Sequence, residues 1–153
     1  MADEESPRTM PELLDQTERR WRAWVDAVEG IPAERLGEPM TGHWSGKDLL
    51  GHVAFWEEWV IDECRRILAG EPNTEEDLDP LNQSQVADSM QASAAEQKQY
   101  RDEAHARLMA FLGTIPEDTP VFPRLVKALE WETYKHYDEH AAAVRAWREA
   151  AGV

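Results

Sequence analysis

The chain has 153 residues, enough for one domain with a full core and too few for two. Its 16 Lys and Arg stand against 31 Asp and Glu, and the resulting net charge of −15 repels phosphate backbones and anionic lipid, so nucleic acid and membrane surfaces are poor partners. No apolar run approaches the roughly 20 residues of a membrane span, the opening MADEESPRTM lacks the basic start and apolar stretch of a signal peptide, and the one cysteine, Cys64, allows no internal disulfide, so a single-domain cytoplasmic protein is expected.

Helical periodicity runs through the chain, and strand-like alternation bounded by turns is absent. Residues 1–8 read as a flexible lead-in. The first helix is predicted to start at Thr9, because TMPE supplies a capping Thr9, a proline tolerated in the first turn at Pro11, and Glu12 at the capping-box position. Its seam is Leu14, Thr17, Trp21, Trp24 and Val28, and EGIPAE ends it. Ser45 caps the second helix with Asp48 as its box partner; Leu49, Val53, Trp56 and Val60 follow at core spacing to about Ala69, where Gly70 stops the helix. Trp44, just ahead of that cap, reads as a staple packed on the bundle, and His43 as an exposed loop residue.

The stretch GEPNTEEDLDP is acidic, carries two prolines and reads as a connection; its TEEDLD run lacks the spacing and central glycine of an EF-hand and is a solvated loop. A third helix is expected from Leu81 to Leu112, with the stripe Val86, Met90, Ser93, Gln97, Tyr100, Ala104, Leu108 and Phe111. His105, beside Arg101 and Arg107, falls on its wet side. After GTIPEDTPVFP the last helix is expected from about Arg124 to Ala151. Four long amphipathic helices in one small domain predict an all-α four-helix bundle. About eleven extended residues after Gly70 reach about 36 Å, the length of a helix of about 24 residues, so the connection permits a crossover that leaves helices two and three parallel.

The last helix carries the chemistry. Val126, Leu129, Thr133, His136, His140, Ala143 and Trp147 form its seam, so two histidines one turn apart stand where hydrophobes belong. His52, three residues after Leu49 and four before Trp56, borders the inward stripe of the second helix. Each neutral imidazole carries a donor and an acceptor, and leaving either unpaired in a core costs about 1–3 kcal/mol. Three close together cannot all be protonated. A divalent metal taking one lone pair from each ring resolves both problems and keeps an open position for water or substrate. The second ring nitrogens then need acceptors, for which Asp48, Glu132, Glu57 and Asn82 are the candidates. The alternative is a set of unrelated core histidines. A zincin-type peptidase is not expected, because Tyr137 and not glutamate follows His136.

HWSGKDLLGHVAFWEEW resembles the second-helix signature of the DinB-like superfamily, W-S-x-K-D-x-x-x-H followed by an aromatic turn. TYKHYDEHAAAVRAW is similar to that superfamily's last helix, with its H-x-x-x-H pair and terminal tryptophan. The resemblance implies an up-down-down-up four-helix bundle, frequent dimers, and zinc or nickel on His52, His136 and His140. It also implies kinship with thiol-dependent transferases and isomerases such as the mycothiol-dependent maleylpyruvate isomerases, and, in another branch, with a hydrolase acting on a genotoxin. DLDPLNQSQV is similar to relatives in which an acidic-then-Asn turn opens the third helix beside the pocket, which puts Asn82 in the site.

Three functions follow as expectations. The first is a metal-dependent S-transferase or isomerase joining a low-molecular-weight thiol to a small electrophile, with Trp56 and Asn82 lining the pocket and Asp48 and Glu132 behind the ligands. Against its thiol part, the sequence holds no arginine cluster of the kind that recognises glutathione or mycothiol. The second is a metal-dependent hydrolase with Glu139 or Glu132 as base. The third is a non-catalytic bundle that sequesters a metal or a toxic small molecule. Cys64 lies twelve residues past His52, about 18 Å along the helix, too far to share its metal, and reads as a buried small hydrophobe.

Overall fold

The computed structural model describes residues 5–76 and 78–153, with the backbone alone at Ala87. Its helices are α1 (Met10–Val28), α2 (Gly46–Leu68), α3 (Asp79–Gln91), α4 (Ala94–Leu112), α5 (Phe122–Leu129) and α6 (Tyr134–Ala151). A small antiparallel hairpin of β1 (Pro39–Thr41) and β2 (Trp44–Ser45) leads into α2. Strands of three and two residues are too short to show alternation, which is why none was expected.

The helix starts obey the capping chemistry. Thr9 Oγ1 accepts from Glu12 N at 3.2 Å, and Arg8 N donates to the Glu12 carboxylate at 2.7 Å. Within the lead-in, Gln16 Nε2 donates to the Glu5 carbonyl at 2.9 Å; residues 1–4 lie outside the described residues. Ser45 and Asp48 form a complete capping box on α2, at 3.0 and 2.9 Å. Past the end of α2, Gly70 takes φ +95°, a left-handed conformation that suits glycine.

The long third helix is two helices. Ser93, placed in the stripe by spacing, is instead the N-cap of α4: its Oγ accepts from Glu96 N, and the Glu96 carboxylate accepts from Ser93 N, both at 3.0 Å. Ala92 is extended there, and Met90, expected inside, is 75 % exposed. The signal S-x-x-E was present in SAAE and was overridden by an apparent helical period. The break changes how the chain returns. Trp56 Nε1 donates to Asn82 Oδ1 at 2.8 Å, and Gln85 and Ser89 lie beside Phe55 and Gly51, so α3 runs back along α2 in the opposite direction. The crossover is thus made largely by a helix of 13 residues, about 20 Å long, and not by extended loop. Its first part is held by Thr74 N on Glu63 Oε1 at 3.2 Å and by Arg124 Nε on Asn73 Oδ1 at 3.1 Å. Glu75 and Glu76 of the acidic run are exposed, and Asp77 lies outside the described residues.

Side-chain partners give the directions. Along α1 and α6, Arg20 meets Asp138, Arg145 reaches the Ala23 carbonyl and Arg148 the Ala27 carbonyl, so the two run parallel. Along α2 and α4, Lys47 meets Gln97, Glu57 meets His105 and Glu58 meets Arg107, again parallel. These are the directions of an up-down-down-up bundle. The core is filled by Leu13, Trp24, Leu49, Leu50, Val53, Val60, Leu108, Leu112, Leu125, Leu129 and Val144. Leu14 and Trp21 are half-buried beside the fully buried Leu13 and Trp24, so the inward line of α1 is shifted slightly from the predicted seam. Cys64 is completely buried, and desolvation raises its thiol pKa to about 12.

The predicted last helix is also interrupted. Thr133 N and Oγ1 both donate to the Leu129 carbonyl at 2.8 and 2.7 Å, and Lys135 N reaches back to Glu130 O at 3.0 Å. The turn at residues 130–133 separates α5 from α6, with no glycine or proline to announce it.

His105 is the clearest departure from expectation. It is 4 % exposed, with Nδ1 2.8 Å from Glu57 Oε2 and Nε2 2.7 Å from Glu18 Oε2. Trp21 stacks on its ring at 3.9 Å, and Tyr137 Oη donates to the same Glu57 oxygen at 2.9 Å. Gln97, Arg101, Ala104, His105 and Leu108 are all buried along one side of α4, so the neighbouring arginines were a misleading guide: Arg101 is itself 6 % exposed.

Candidate metal centre

Two elements deliver three imidazoles to one place. The capped start of α2 carries His52 in its second turn, and α6 carries His136 and His140 on successive turns. The rings are 9, 7 and 8 % exposed, and one candidate ligand atom from each lies within 4.8 Å of the others. Ring centroids are 4.6 Å apart for His52 and His136, 5.0 Å for His52 and His140, and 4.5 Å for His136 and His140. The Nε2 atoms of His52 and His136 face each other at 2.8 Å.

Burial disfavours charge on all three. Desolvation first, and His140 second, lower His52 to about 3; desolvation lowers His140 to about 4; His136 is driven well below its usual value by burial, then by both neighbours. The cluster is therefore neutral at pH 7, the state in which imidazole offers a lone pair. Among the described residues four of its nitrogens have no hydrogen-bond partner: Nδ1 of His52, Nδ1 of His136, and both of His140. Bonds of about 2.1 Å in a tetrahedral zinc site put its ligands about 3.4 Å apart, between the 2.8 Å of the His52–His136 pair and the 4.8 Å that bounds all three candidate atoms. A divalent cation fits this donor set, in kind and in scale.

The surroundings are aromatic. Trp44 meets His52 edge-on at 4.5 Å, delivered by the hairpin, and Trp24 lies 6.4 Å from His140. Neither was read from the sequence as a neighbour of the cluster, although Trp44 opens the W-S-x-K-D-x-x-x-H pattern. The expected acceptors behind the ligands have other work. Asp48 accepts from Ser45 N, Glu57 from His105 and Tyr137, and Asn82 Oδ1 from Trp56. No hydrogen bond joins any of them to the second nitrogens of the cluster. Glu132 sits on the turn ahead of α6, half-buried, and desolvation raises its carboxyl to about 7 with no charge or hydrogen bond set against that burial. It helps line a cavity of about 220 Å³ with Trp59, Glu63 and Trp131. Glu139 is exposed, as is His43; Trp56 is buried at 4 % exposure.

A family model described as the DinB superfamily matches residues 16–140. Solved structures share the fold at low identity. An uncharacterised protein from Escherichia coli UTI89 superposes with a TM-score of 0.80 at 17 % identity, covering 96 % of each chain. The colibactin self-resistance protein ClbS, in complex with a dsDNA, gives 0.77 at 16 % identity over 95 % of this chain and 98 % of its own. The sibling lethal factor precursor DfsB gives 0.76 at 15 % identity over 95 and 98 %. No curated protein matches the chain. The ClbS complex does not fit the expectation, drawn from this chain's net charge of −15, that nucleic acid is a poor partner.

Proposed function

The chain belongs to the DinB superfamily, and from that premise we propose that it is a metal-dependent enzyme, a thiol-dependent S-transferase or isomerase acting on a small electrophile, with zinc or nickel on His52, His136 and His140. The observation that carries this reading is the convergence of three buried, neutral imidazoles from two helices, with one candidate ligand atom from each within 4.8 Å of the others. His52, His136 and His140 would hold the cation, which would supply Lewis acidity that lowers the pKa of a thiol or water beside it. The chain's own residues do the rest. His52 is fixed by a fully capped helix start, while Trp44 and Trp24 limit water around the rings. Trp56 and Asn82, already bonded to each other, are the proposed wall of the electrophile's pocket. The proposed site belongs to a cytoplasmic protein that pairs with a second copy of itself.

One observation favours a second reading, hydrolysis. In that reading Glu132, half-buried and raised to about 7 by desolvation, is the proposed base in place of the exposed Glu139, and it would act on water in the cavity it lines with Trp59, Glu63 and Trp131, which shares no residue with the histidine cluster. Relatives by fold that bear the names of a self-resistance protein and a lethal factor precursor support a toxic small molecule as substrate, or as a ligand held without turnover.

Elemental analysis of the purified chain beside His52→Ala tests the common core. About one divalent ion per chain is expected in the first and a loss of at least tenfold in affinity in the second; a wild type without metal after reconstitution refutes both catalytic readings. Thiol-dependent conjugation then marks the transferase, turnover without thiol the hydrolase, and tight binding without product the sequestering bundle.

A further inference from the structure

We propose that the cavity between α2, the connection that follows it and the α5–α6 turn binds the ammonium end of a small organic cation, with Glu132 as its counter-ion. The cavity encloses about 220 Å³ and shares no residue with the histidine cluster. That is the space of about seven waters at ~30 Å³ each, enough for a short alkylamine. The subsite is independent of the metal reading, and it is an alternative to the use of Glu132 as a base.

Glu132 is the group of this lining that is both open and unmet. Desolvation raises its carboxyl to about 7 with no hydrogen bond or charge set against it, so the carboxyl itself, and not only its stem, sits in the recess. Its oxygens are not among the sealed atoms of the interior, so water reaches them. The neighbouring polar groups are committed. Asn73 donates to the Arg124 carbonyl at 3.2 Å and accepts from Arg124 Nε at 3.1 Å. Glu63 Oε1 accepts from Arg66 at 2.7 Å and from Thr74 N at 3.2 Å, while its Oε2 is sealed away from the cavity. Lys127 is exposed and exerts no pull on the Glu132 carboxyl. A carboxylate held there lacks both a donor and a positive charge, and burial without either is costly.

The surroundings select what supplies them. Trp59 and Trp131 put indole rings in the lining, and Trp131 already holds the Lys135 ammonium 4.7 Å from its ring centroid. Aromatic faces attract cations, and a primary ammonium brings N–H donors for the carboxylate as well. A divalent metal does not fit, because Glu63, Glu75 and Glu132 do not gather their oxygens around one point as the three histidines gather their nitrogens. An anion would meet Glu132 and the exposed Glu75, and an apolar guest would leave Glu132 uncompensated.

The test is titration of the full chain with n-propylammonium, 1-propanol and propionate at constant ionic strength, followed by the indole N–H NMR signals of Trp59 and Trp131. Propylammonium is expected to shift both signals saturably, propanol to bind at least tenfold more weakly, and propionate to have no effect. Glu132→Gln should weaken propylammonium by at least tenfold, and Trp131→Ala, at an exposed position where folding is undisturbed, by about threefold. Melting temperatures check that each variant is folded. Saturation should persist with a chelator present, so failure of the metal reading leaves this one standing. Equal affinity for propylammonium and propanol, no saturation by propylammonium, or wild-type affinity in either folded variant overturns the subsite and leaves a water-filled cavity.

Discussion

His140 has two buried ring nitrogens and no partner for either, and it shares that neutral, crowded interior with His52 and His136. Once the chain unfolds, all three rings protonate near pH 6.5; folded, His52 and His140 wait until about 3 and about 4. The unfolded state therefore binds more protons below pH 6.5, and the stability these rings contribute is lost as pH falls from there. Glu132 and Glu57 act in the opposite sense, because burial raises both and the folded state then holds protons that the unfolded state has released. Three rings outnumber two carboxyls, so the net sense is proton uptake on unfolding and a loss of stability as pH falls. Urea midpoints of the metal-free chain should thus fall between pH 6 and pH 4, and Glu132→Gln should steepen the fall; a flat profile would contradict the neutral cluster. The histidines were legible in sequence because spacing alone put them on a seam. The companions proposed for them were not: Asp48 is committed to the cap of its own helix, a use the capping-box pattern itself had announced.

At the level of elements, two interruptions separate the expected bundle from the observed one. The α3–α4 break is chemical and readable, since Ser93 and Glu96 satisfy each other's backbone amides. Ser93→Ala should cost about 1 kcal/mol in urea unfolding and speed hydrogen exchange at the Glu96 amide; an unchanged midpoint would deny the cap its role. The α5–α6 turn has no such marker. Its Thr133 hydroxyl bonds back to Leu129, as a helical threonine does, so the local sequence looks continuous while the backbone turns. That turn is what leaves Glu132 half-buried without a partner. A period-based reading passes over it because Val126 and Leu129 before it, and His136 and His140 after it, are all inward.

Across the whole molecule, Glu18, Glu57, His105 and Tyr137 join α1, α2, α4 and α6 through one buried polar knot. His105 is the member that touches two carboxylates, and deleting it leaves Glu57 fully buried with one partner in place of two. His105→Ala should therefore cost about 1–3 kcal/mol, and at roughly 2–4 °C per kcal/mol for this size the melting temperature should drop by about 5 °C. A change within a degree or two would mean that the knot is incidental to stability. Cys64 gives an independent view of the same cooperativity. With its sulfur sealed inside α2 and its pKa near 12, it is inert to alkylating reagents while the native packing persists. The chain thus contains a built-in clock: pulse labelling with a thiol-specific reagent should report, one molecule at a time and without any added probe, how often the bundle opens, and a wild-type protein that labels at the rate of free cysteine would mean that the bundle is breathing open far more often than its packing allows.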